Sequence, residues 1–222
     1  YGGTLHLLHD LLGRFGIATR FVSPAELASL ESAFGPRTRM VWFESPTNPT
    51  LRCVDIRRVA AACRARGVLS VLDNTFASPH NQRPLSLGVD LAMQSATKYL
   101  NGHSDVTAGV VAGPAALLAP IEKARRLLGT ILDPAAAYLL GRGLKTLTVR
   151  VAQQNANAQA LAEALVSDAR VSHVSYPGLS SHPEHAIARD QMTGFGGMVC
   201  IDLGGDYDRA VRTFDRLRVI VR

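Results

Sequence analysis

Three short apolar runs, each ending abruptly in carboxylate, hydroxyl and amide residues, constrain the fold of this chain more than any other feature. Residues 40–43 lead into Glu44-Ser45-Pro46-Thr47-Asn48-Pro49, residues 68–72 into Asp73-Asn74-Thr75-Phe76, and residues 91–94 into Ser95-Ala96-Thr97-Lys98. The runs are continuously apolar rather than alternating, which marks strands buried on both faces. Between the first two lies a helical pattern over 56–66, with apolar residues at 56, 59, 60 and 63 and a stop at Gly67. Strands alternating with helices predict an α/β fold with a mostly parallel sheet, in which ligands bind beyond the carboxyl ends of the strands.

The same reading predicts a strand over 17–22 and a helix over 25–33 that opens on the Ser23-Pro24 cap. Residues 108–112 form a further strand candidate. A long helical stretch over 134–169 is expected to divide at Gly141 and Gly143, and strands over 171–176 and 198–203 belong to a second region.

Composition narrows the class. With 222 residues, 47% of them hydrophobic, the chain can build one large domain or one and a half. No run approaches the roughly 18 to 20 apolar residues of a membrane span, and no signal-peptide grammar opens the chain, so a cytoplasmic protein without a membrane partner is expected. The net charge of +6 is scattered: Arg57-Arg58, Arg64 with Arg66, and Lys123-Arg125-Arg126 fall on helical stretches. Without aromatic residues between them they predict a solvated face rather than a nucleic-acid surface. Cys53, Cys63 and Cys200 are odd in number and lack CxxC spacing, which fits neither a disulfide framework nor a zinc site.

If the three strands are neighbours, their ends bring a lysine, a carboxylate and several hydroxyls to one edge. Pyridoxal 5′-phosphate chemistry needs such a set. A lysine amine, Lys98, forms a Schiff base and moves protons, and a buried carboxylate, Asp73, keeps the pyridine nitrogen protonated. Ser95 and Thr97 can donate to the phosphate, and Tyr1, beside Gly2-Gly3, can stack on the ring. Other readings are open at each position: Asp73 as a turn or helix cap, Lys98 as a surface lysine, Ser95 and Thr97 as caps. The SxTK string alone is short.

Longer strings carry a resemblance: YGGT at 1–4, ESPTNPT at 44–50, DNTFASP at 73–79, SATKYLNGHSD at 95–105, RGLKTL at 142–147 and YPGLSSHPEH at 176–185. By these the chain resembles the Cys/Met-metabolism PLP-dependent enzymes, the trans-sulfuration family that includes cystathionine gamma-synthases and gamma-lyases. The resemblance implies the fold type I architecture, with a seven-stranded sheet in a large domain over 1–150 and an incomplete smaller α/β domain over 151–222. It implies Lys98 as the Schiff-base lysine, Asp73 as the partner of the pyridine nitrogen and Ser95 and Thr97 as phosphate ligands. Tyr1 is the implied ring-stacking tyrosine, and Asn48 lies near the cofactor's phenolic oxygen and the substrate carboxylate.

The implied reaction is gamma-replacement or gamma-elimination on homoserine esters or cystathionine, with an amino-acid substrate and a homotetramer built as a dimer of dimers. An O-acyl-homoserine sulfhydrylase or a cystathionine beta-lyase is the alternative, and an inactive structural remnant is the alternative from another class. The chain is shorter than the family's usual length, so it is expected to be a fragment with little activity alone. Gly3 stands where methionine gamma-lyases of the family carry cysteine, and His6 where several members carry an arginine, which lowers the expectation of selection for a second carboxylate. The His182 and His185 pair falls in a string that resembles a surface segment of the family, and no metal is expected.

Overall fold

The computed structural model describes residues 1–23 and 26–219, with nothing described of the Ala28 side chain. Helix α1 (Gly2–His6) continues through two further helical turns to Phe15, and a 3₁₀ segment covers Glu26–Ala33. Pro24 and Ala25, where the predicted helix was to begin, lie outside the described residues. The large sheet follows: β1 (Met40–Glu44), α2 (Ile56–Ala65), β2 (Leu69–Asp73), a short α3 (Ser78–Asn81), β3 (Leu91–Ser95) and β4 (Gly109–Ala112). Its order is β1-β2-β3-β4, with the first two junctions parallel and the last antiparallel.

Helix α2 shows why this segment folds as it does. The Asp55 side chain accepts the Arg58 N–H at the N-cap, and Gly67 adopts φ +62° at the other end. There Gly67 N–H reaches Arg64 O and Val68 N–H reaches Cys63 O, a Schellman closure that aims the chain back into β2. The apolar face of α2 (Ile56, Val59, Ala60, Ala62 and Cys63) packs with Phe43 and Leu72 into the main core.

The remaining chain forms α4 (Ala115–Leu128), α5 (Pro134–Leu144), α6 (Leu147–Val166), β5 (His173–Ser175), α7 (His185–Gln191), β6 (Cys200–Asp202) and α8 (Tyr207–Asp215). Strands β5 and β6 pair antiparallel as a separate sheet, and α6 covers it through Ala158, Ala162, Val174 and Tyr176. No described helix is long and apolar enough to cross a membrane.

Three expectations need correction. Residues 17–22 are not a strand: no described strand lies beside the free edge of β1, and Val22 instead packs against the main core. The helical stretch divides at Lys145–Thr146 rather than at Gly141 and Gly143, both of which lie inside α5. Gly143 serves close approach, because a Cβ there would strike the carbonyl oxygen of Asn101. The seven-stranded sheet is represented among the described residues by four strands.

Candidate active site

Register decides which strand ends meet. Glu44 stands opposite Asp73, and Asp73 opposite Met93, so the ends of β1, β2 and β3 share one edge of the sheet. Asp73, at 8% exposure, is buried there. Its Oδ1 accepts the Thr75 N–H at 3.0 Å and the Thr75 hydroxyl at 2.5 Å. The same hydroxyl accepts the Ser95 N–H at 2.8 Å. One threonine, using its proton and a lone pair, thus couples the carboxylate to the backbone that leads to Lys98.

Among the described residues Asp73 Oδ2 accepts no hydrogen bond. Burial pushes the Asp73 carboxyl above its ordinary range; the Thr75 bonds pull it down, and the charge of Glu44 pushes it further up. The terminal ammonium of Tyr1, held on Glu44, pulls it down a little, and a desolvated carboxylate with an open oxygen favours the arrival of a positively charged N–H group.

Glu44 gathers two more of the expected residues. Its Oε1 lies 3.0 Å from the backbone nitrogen of Tyr1, and its Oε2 accepts the Asn48 N–H at 3.2 Å. Both residues are held by their backbones, and both side chains are exposed. The Tyr1 ring lies over Gly3, where a Cβ would press on ring atom Cε1.

Past β3 the chain winds into a turn: Lys98 N–H donates to Ser95 O, Asn101 N–H to Ala96 O and Gly102 N–H to Lys98 O. Lys98 is exposed to a cleft of about 730 Å³, lined also by Thr97, Tyr99 and Asp105 and, across from them, by Gln154 and Gly197. Thr97 Oγ1 donates to Ala108 O at 3.3 Å and accepts Ala108 N–H at 2.9 Å, pinning the return strand. The Ser95 hydroxyl makes no hydrogen bond among the described residues, so it is the freer donor. Asp73, Ser95, Asn48 and Tyr1 do not line this cleft; the Thr75–Ser95 link joins Asp73 to the strand that leads to Lys98. A primary amine at a cleft, an open buried carboxylate and a free hydroxyl on one sheet edge fit the aldehyde, ring nitrogen and phosphate of pyridoxal 5′-phosphate.

The far wall is held by α6. Asn155 Oδ1 accepts Gly196 N–H at 3.0 Å, and its amide exchanges two hydrogen bonds with Asn81. Other polar residues are engaged elsewhere: His6 pairs with Asp10 on the surface, His182 Nδ1 accepts Glu184 N–H, and His185 Nδ1 meets Pro177 O. Burial pushes the Cys53 thiol up to about 12 and Cys63 to about 11, which leaves both unreactive. Sequence reading gave no role to Glu44, Thr75 or Arg150. For the first two a signal existed, since each lies at or just past a strand end; for Arg150 there was none.

The family described as Cys/Met metabolism PLP-dependent enzyme matches residues 1–222. Cystathionine gamma-synthase 1, chloroplastic, of Arabidopsis thaliana is 46% identical over 220 residues, covering 99% of this chain and 39% of its own. L-methionine gamma-lyase of Pseudomonas putida is 44% identical, covering 100% of this chain and 56% of its own. The crystal structure of cystathionine gamma-lyase from Lactobacillus plantarum complexed with L-serine superimposes with a TM-score of 0.94 at 40% identity, over 100% of this chain and 58% of that one. The chain spans about half the length of the curated relatives it matches.

Proposed function

This chain belongs to the Cys/Met metabolism PLP-dependent enzymes, and from that premise we propose that the protein holds pyridoxal 5′-phosphate at Lys98 for gamma-replacement or gamma-elimination on a homoserine ester or cystathionine. Its α/β fold is the fold type I of PLP-dependent transferases. The observation that carries the reading is the buried Asp73, whose open oxygen lies on the same sheet edge as the Lys98 turn. When bound, the cofactor supplies an electron sink that lets an amino acid lose its α-proton.

Each residue then has a task. Lys98 would hold the cofactor through its amine, and the same amine would accept the proton from the substrate α-carbon. Asp73 keeps a proton on the ring nitrogen through its Oδ2. Ser95 donates its free hydroxyl to the phosphate, and Thr97 does so by turning its proton away from the 3.3 Å bond to Ala108 O. Tyr1 would cover the ring and assist proton transfer, and Asn48 would serve the phenolic oxygen and the substrate carboxylate. The domain reading, a cofactor-binding part over 1–150 and a smaller one from 151, has the two separate sheets in its support. A homotetramer has in its support the apolar side chains left exposed on α4, α5 and the connection between them, among them Leu127, Leu128, Ile131 and Tyr138.

The chain has three lysines, Lys98, Lys123 and Lys145, which makes the test direct. After incubation with pyridoxal phosphate and reduction with borohydride, peptide mapping should find the label on Lys98, and Lys98→Ala should lose it with its melting temperature unchanged. Label spread evenly over the three lysines, or absent, would overturn the assignment. Assays of the full-length protein with homoserine esters and cystathionine, each with and without cysteine, test the reaction; turnover of none of them removes the gamma-chemistry.

A further inference from the structure

Arg150 lies on α6 and, among the described residues, forms no ion pair. Its guanidinium goes to neutral acceptors instead: Nε to Thr146 Oγ1 at 3.0 Å, Nη1 to Tyr99 O at 2.9 Å, and Nη2 to Gly143 O at 2.8 Å and Leu100 O at 3.5 Å. Two of those carbonyls belong to the turn that begins at Lys98, and the third lies in the last turn of α5. The turn has been shaped to this group, because a Cβ on Gly102 would collide with the guanidinium and one on Gly143 with the Asn101 carbonyl. Gly102 in turn donates its N–H to the carbonyl of Lys98 at 2.8 Å.

We infer that Arg150 is a positioning residue for Lys98: its planar fork staples residues 99–102 to the α5–α6 junction and thereby sets where the Lys98 amine stands in the cleft. The inference rests on Lys98 being the cofactor lysine. A simpler role exists for a cation at this place, since any positive charge near the last carbonyls of α5 would stabilise that helix end. Lysine can supply that charge, but a single ammonium cannot bond three carbonyls and a hydroxyl in one plane. The two roles therefore separate in Arg150→Lys.

The experiment compares wild type, Arg150→Lys and Thr146→Ala, the last removing the Nε anchor together with the hydroxyl's own 3.2 Å bond to Gly143 O. For each, melting temperature, pyridoxal phosphate titration, borohydride labelling of Lys98 and the circular dichroism of the bound chromophore are measured. Positioning predicts that Arg150→Lys melts near wild type, binds roughly tenfold more weakly and loses most of the chromophore's dichroism, with Thr146→Ala shifted the same way by a smaller factor. Arg150→Lys with wild-type binding and dichroism overturns the inference. If Arg150→Lys fails to melt cooperatively, Thr146→Ala decides, and unchanged binding and dichroism there overturn it equally. A wild-type chain that is not labelled at Lys98 removes the cofactor reading itself, an outcome distinct from either.

Discussion

The sheet edge around Asp73 and the seam between the sheet and the C-terminal part are both polar and buried, yet they are built on opposite terms. In the seam, Asn81 and Asn155 exchange two amide hydrogen bonds, and Gln82 Nε2 reaches both Ser45 O and Asn74 Oδ1 at 2.8 Å. Gln191 donates to Val54 O and accepts Ile56 N–H. Amides donate and accept at once, so neutral side chains satisfy one another without a net charge. A carboxylate only accepts, and Asp73 has donors on one oxygen alone. The seam is a network of neutral amides that fixes geometry, with Gln82 Oε1 left without a partner among the described residues; the edge leaves a charged acceptor open for a donor from outside.

The sharpest way to break that contrast is Asp73→Asn, which keeps the shape and removes the charge. It should weaken pyridoxal phosphate binding about a hundredfold, some 2.7 kcal/mol, in a fluorescence or absorbance titration. The same variant should raise the melting temperature at neutral pH. The sign follows from the raised Asp73 carboxyl: its neutral form is favoured in the fold, so the charged form destabilises above the folded value, and protonation relieves this as pH falls toward the unfolded one. The gap in melting temperature between variant and wild type should therefore close on acidification. A variant that melts lower than wild type at neutral pH would show that the Asp73 charge stabilises the fold.

Asn155→Ala tests the amide network. It strands the Asn81 amide and the Gly196 N–H, and should cost about 2 kcal/mol in urea unfolding while Lys98 is still labelled by pyridoxal phosphate and borohydride. Thr75→Val, nearly isosteric, removes the proton given to Asp73 and the acceptor of Ser95 N–H. About 1 kcal/mol of stability should go, and the acid-side rise in melting temperature should begin at a higher pH, because a force holding the carboxyl down is lost. Arg52→Ala should have the smallest effect. Arg52 is half exposed against Glu184, so less than about 1 kcal/mol is expected, and less again at high salt in the same unfolding assay.

Much of the large sheet was legible beforehand because its signals are local. The apolar runs ended within a residue of β1, β2 and β3, and Gly67 stopped α2 through a left-handed φ that glycine adopts without strain. Residues 17–22 misled because strand propensity needs a neighbouring strand before it becomes a strand. Gly141 and Gly143 misled because a glycine inside a helical stretch reads as a break when it can equally be a contact point; Gly143 is the latter, under the Asn101 carbonyl.

By itself, the sequence determined the alternation of strands and helices, the family strings, and Lys98 and Asp73 as the pair to watch, all of them properties of residue type over short spans. Only the tertiary structure decided that Thr75 would bridge Asp73 to Ser95, that Glu44 would hold Tyr1 and Asn48, and that Arg150 would clasp the turn after Lys98. The physical reason is that a hydrogen bond across strands or between distant helices depends on register and packing, and neither is written in the spacing of residues along a chain.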